Sequence, residues 1–198
     1  MKKILYILPL ITPLLFSNKI TGVAGDRLRG TPPQDSLQIN INVTLLVPAR
    51  IGLYVDANLT FDLNTPVGPS TIYPPTLFPG YYYPTSASAT NPQGVVVEVF
   101  SNSPTLTWTL QVFGSGNFSP TVTLDQLFIA PDGEPAPSEG SDPPGGNWTS
   151  LTTTPLNLNT GGKTNGWNKY NKDFVFQAEA DDEPVTSTIT LTFRLYAQ

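Results

Sequence analysis

The chain has 198 residues and a formal net charge of −5, with no cysteine, no histidine, 21 prolines and 16 glycines. Disulfides, thiolate chemistry, imidazole acid–base catalysis, Ser-His-Asp triads and histidine-bearing zinc sites are excluded, which leaves carboxylates as the side chains able to catalyse. The acidic balance makes nucleic acid and anionic lipid poor partners.

Residues 1–24 read as a secretory signal peptide. Lys2 and Lys3 precede the apolar run ILYILPLITPLLF, and the small-residue stretch TGVAG follows, with cleavage expected after Ala24. The run is too short to cross a bilayer and contains Pro9 and Pro13. No later apolar run is long enough to span. The mature chain is therefore expected to be secreted, extracellular or at the cell surface, or periplasmic in a host with an outer membrane. Losing Lys2, Lys3 and Lys19 makes it more acidic still.

Residues 25–36 are expected as a flexible N-terminal segment and 37–198 as a single domain. Its periodicity is two. Leu37, Ile39, Ile41, Val43 and Leu45 alternate with Gln38, Asn40, Asn42 and Thr44, the pattern of a half-buried strand. A second alternation runs Ala49, Ile51, Leu53, Val55 and a third Leu59, Phe61, Leu63, with Asp56-Ala57-Asn58 between them as a hairpin turn. Then come Val95, Val97, Val99; Leu106, Trp108, Leu110, Val112; Val122, Leu124 with Leu127, Ile129; Phe174, Phe176, Ala178; and Val185 to Ala197. About eight strands without a βαβ rhythm predict an all-β fold, an antiparallel β-sandwich of immunoglobulin-like type with long Pro/Gly-rich loops. Three such loops, 64–94, 131–147 and 157–172, break the rhythm.

The loops carry the candidate contact residues. Tyr81, Tyr82 and Tyr83, with Tyr73 and Phe78, are interleaved with prolines. Stiff amphipathic rings of this kind suit a sugar or a protein partner, or else fold back as a lid over the sandwich. Trp148, Trp167 and Tyr170 sit in or beside Gly- and Asn-rich stretches and offer the same choice, whereas Trp108 lies in a period-two strand and is expected in the core. Glu179, Asp181, Asp182 and Glu183 read either as calcium ligands or as a solvated turn, without EF-hand spacing. The acids Asp132, Glu134, Glu139 and Asp142 share that ambiguity, and a glycosidase-like carboxylate pair would need a fixed separation that sequence does not give. Asn42, Asn58, Asn117 and Asn147 begin N-x-Ser/Thr sequons.

The stretch VVVEVFSNSPTLTWTLQVFGSGNF, residues 95–118, and the ending TITLTFRLYAQ together resemble the WxL surface-domain pattern of Gram-positive bacteria. Trp108-Thr109-Leu110 matches the first Trp-x-Leu, while the second position reads Phe193-Arg194-Leu195. The ending is also similar to fimbrial and spore-coat-type subunits. The resemblance implies a noncatalytic surface role and binding to cell-wall polysaccharide or like subunits, with Trp108 and Leu110 as core positions. The expectation is a structural or adhesive surface protein that uses no cofactor and no metal; the Leu37–Leu45 strand is read first as closing its own sheet, because an unpaired edge is costly, and otherwise as a strand donated to a like subunit in self-association. The alternative is a carbohydrate-binding module using the Tyr and Trp loops.

Overall fold

A computed structural model describes residues 18–23 and 35–198. The expected signal segment up to residue 17, the cleavage point at Ala24 and residues 25–34 lie outside the described residues. The chain divides into two compact units, one ending at Val47 and one running from Pro48 to Gln198.

The first unit holds a parallel pair, β1 (Asn18–Val23) and β2 (Asp35–Asn40). Residues 41–50 carry no strand. The strand expected over Leu37–Leu45 is thus formed only as far as Asn40, and its partner is β1 rather than a strand of the sandwich.

The second unit is an antiparallel sandwich without an α-helix among the described residues. One sheet contains β3 (Ile51–Val55), β5 (Gly94–Ser101), β10 (Asn168–Ala178), β7 (Leu127–Pro131) and β8 (Thr149–Ser150) in that order, with β4 (Gly80–Tyr82) also paired to β10. The other has the order β11 (Leu191–Ala197), β6 (Trp108–Gly114), β9 (Leu156–Gly161). Val95, Val97 and Val99 of β5 meet Trp108, Leu110 and Val112 of β6 in the core, with Ile129 and Phe174 beside them. These are the alternate positions that a pleated strand aims at one face.

Trp108 is the largest fully buried side chain. Its Nε1 donates to the Gly162 carbonyl at 2.7 Å, and its ring meets Tyr170 edge to face at 5.9 Å. The backbone approaches just as closely at Gly94, where a Cβ would stand 1.8 Å from the Lys172 carbonyl oxygen. Only glycine fits there.

The expected hairpin at Asp56-Ala57-Asn58 does not form. Asp56 instead binds β5, its Oδ1 accepting from the Val96 N–H at 2.8 Å and its Oδ2 from Ser88 Oγ at 2.5 Å. Leu59 packs on the core and Phe61 and Leu63 on the cluster around Tyr82 and Phe176, leaving a single bridge at Thr60. Leu124 likewise lies in a 3₁₀ turn, Leu124–Gln126, rather than a strand.

The Pro-rich loops form a cover on the six-stranded sheet. Tyr81, Phe128, Ala130, Trp148 and Val175 make an apolar cluster separate from the core. The two loops are tied together, with the Tyr81 hydroxyl donating to the Ser141 carbonyl and the Gly140 N–H to the Pro79 carbonyl.

Candidate functional site

The six aromatic candidates do not form one surface. Tyr81 and Tyr82 have no exposed area, and Trp148 is buried with its Nε1 donating to the Pro135 carbonyl at 2.9 Å. Tyr83 and Tyr170 are half-buried. Burial raises the phenol of Tyr82 to about 12, with Glu139 and Tyr73 adding to the shift, and raises that of Tyr81 further. These rings hold the loops down on the sheet, which is the lid rather than the contact surface.

Trp167 differs. It is 50% exposed, stacks on Phe100 at 5.7 Å, and lies so close over Gly52 that a Cβ there would come within 2.6 Å of its ring. Of the six, it alone presents a large open ring.

Two of the acidic candidates, Asp182 and Glu134, act as turn ties. Asp182 Oδ2 accepts from the Glu179 N–H at 2.9 Å and its Oδ1 from Gln126 Nε2 at 2.8 Å. Glu134 takes the Asn147 N–H at 2.7 Å and Nδ2 at 2.8 Å, so the sequon at Asn147 has its amide engaged. Among the described residues, no three His, Cys, Asp or Glu side chains gather as a metal site.

A cleft of about 420 Å³ opens between β9 and the β7–β8 edge, lined in part by Ile129, Trp148, Leu156, Leu158 and Lys172. Lys172 is its only titratable lining group. Sequence reading missed this residue. Two places from both Tyr170 and Phe174, it falls on the row that faces the core, and burial pushes its ammonium below the usual range. A second cavity, about 290 Å³ within the 135–146 loop, has no titratable lining side chain. Neither offers a nucleophile with a base, or a pair of carboxylates.

The remaining feature is the stretch that leads into the sandwich. Ile41, Val43 and Leu45 are 68%, 83% and 82% exposed, and Ile39, Leu46 and Val47 are exposed too. This is a strand-like apolar row with no cover among the described residues. At its end Pro48 and Arg50 are held by Asn102, whose Oδ1 accepts from the Arg50 N–H at 2.6 Å and whose Nδ2 donates to the Pro48 carbonyl at 3.0 Å.

No family model, curated protein or solved structure matches the chain.

Proposed function

We propose that this is a noncatalytic exported β-sandwich that works at the cell surface as a structural or adhesive subunit and associates with copies of itself. One observation carries the reading: the alternating row from Ile39 to Val47 stands in solvent. An exposed apolar row of this length marks an interaction surface or an aggregation hazard. The signal-like N-terminus supports export, and the lack of a catalytic pair in the two cavities supports a noncatalytic role. No helix among the described residues is long and apolar enough to cross a membrane.

The test is light scattering over a wide concentration range, with electron microscopy of the same samples. The reading expects assemblies that grow with concentration and are lost in Val43→Asp. Monomers at every concentration would overturn it.

A second reading, a carbohydrate-binding module, rests on the half-exposed ring of Trp167. Planar rings of this kind stack on sugar faces. Glycan-array binding that disappears in Trp167→Ala would support it, and an empty array would remove it.

A further inference from the structure

Lys172 stands apart from the other charged groups of the sandwich. β10 alternates so that Tyr170, Lys172 and Phe174 share the inward row, and the registers set Lys172 between Val95 of β5 and Pro131 of β7. The residue is only 6% exposed, yet it lines the open cleft at the β7–β8 edge. An ammonium taken out of water needs a partner. Among the described residues Lys172 Nζ has neither a hydrogen bond nor an ion pair, the one ion pair there being Lys169 with Glu98. Nor is it sealed in like the unpartnered interior atoms Ser101 Oγ, Asn159 Oδ1 and Asp173 Oδ1, so it keeps contact with the cleft.

The adjacent acid does not fill the role. Asp173 is the next residue on the strand, so it faces the opposite side of the sheet, where it takes the Gly133 N–H at 3.1 Å. Its charge opposes the effect of burial on the Lys172 ammonium without cancelling it. The rest of the cleft suits the body of a small ligand. Its volume of about 420 Å³ falls within the range of about 300–1,000 Å³ usual for small-molecule sites. Leu156 and Leu158 supply apolar wall, and Thr149, opposite Ile129 in register and so on the same face, brings a hydroxyl to the exposed side.

We propose that this cleft binds a small organic monocarboxylate, its anionic end on the Lys172 ammonium and its apolar body against Leu156 and Leu158. Charge decides the class. A neutral ligand leaves the ammonium unpaired, a cation is repelled, and a dianion brings one negative charge too many to a site with a single positive group. One carboxylate balances one ammonium through a charge-assisted hydrogen bond. The lining lies wholly within residues 129–172, and the site does not depend on how copies of the chain associate.

The purified chain is titrated with benzoate as the probe and followed by amide chemical shifts. Saturable shifts are expected at Ile129, Thr149 and Leu158, with benzamide and inorganic phosphate each at least about tenfold weaker. Lys172→Met keeps the apolar stem and removes the charge. It should bind benzoate at least about tenfold more weakly, while its urea midpoint stays level or rises because a buried unpaired charge is gone. If that variant does not fold, the comparison of benzoate with benzamide on the parent chain decides alone. Equal binding of those two, phosphate binding as tightly as benzoate, an unchanged affinity in folded Lys172→Met, or no saturable shift at these residues overturns the proposal. N-acetylleucine and hexanoate separate the sources of the carboxylate. Binding of either supports the site, and the tighter of the two identifies the carrier as an acyl amino acid or a short fatty acid.

Discussion

Asn102 holds Arg50 through both backbone groups, its side-chain Oδ1 taking the Arg50 N–H at 2.6 Å and its own N–H reaching the Arg50 carbonyl at 3.2 Å. Fifty-two positions separate the two residues. The side chain thus fixes the point at which the exposed apolar row enters the sandwich. Asn102→Ala keeps the backbone contact but loses the two side-chain ones, to Arg50 and Pro48, and about 1 kcal/mol of stability with them. Urea unfolding measures the loss. If self-association depends on the direction of entry, assembly weakens as well, and an unchanged midpoint would show that the anchor contributes nothing.

Trp108 and Gly161 are packed without slack. A Cβ on Gly161 would stand 2.6 Å from Cζ2 of the indole, which sits at the centre of the core. Gly161→Ala is therefore expected to cost about 1–3 kcal/mol through overpacking, read from chemical denaturation followed by tryptophan fluorescence. A neutral substitution would mean that the indole has room to move.

Asp173 is buried, its Oδ2 accepts the Gly133 N–H at 3.1 Å, and its Oδ1 has no hydrogen-bond partner. Burial raises the carboxyl above its usual 3.8. The folded state then holds this proton more tightly than the unfolded chain, so this group's contribution is present below the unfolded value and is lost as pH rises through the raised folded one. Asp173→Asn keeps the shape without the charge. Its stability relative to the parent should improve as pH climbs out of the acid range, measured by urea midpoints at several pH values. A stability of the variant relative to the parent that stays flat or falls as pH rises would refute the assignment.

Tyr81 and Tyr82 titrate by the same logic at the other end of the scale. Burial moves Tyr82 to about 12 and raises Tyr81 as well, so these phenols keep their protons above the usual phenol range. Below the unfolded value near 10 their contribution to stability is fully present, and it disappears as pH rises through the folded values. Phenolate absorbance should show a late fraction that coincides with alkaline unfolding. Titration of every tyrosine in one early step would contradict the buried lid.

Part of this architecture was legible in the sequence. Val95–Val99 and Trp108–Val112 alternate because one face of each strand meets the opposite sheet, so the pattern and the burial coincide. The short strand Gly80–Tyr82 was hidden because it is buried on both faces and so has no alternation to read. Leu156–Gly161 was hidden by its Asn and Thr content and by the bulge that shifts its register. Whether Tyr81 faced solvent or the sheet depended on Ser141, sixty residues away, and no local window contains that partner. The row from Leu37 to Leu45 was plain as a pattern, but the alternation of a segment does not say which surface it meets, and only its first part pairs, with β1.

The account stands on that row being covered by another copy. Amide hydrogen exchange of residues 41–47, which carry no strand, measured at rising protein concentration, tests this directly. The account predicts fast exchange in dilute solution and protection that grows with concentration. Fast exchange at every concentration, or full protection already at the lowest, would contradict it.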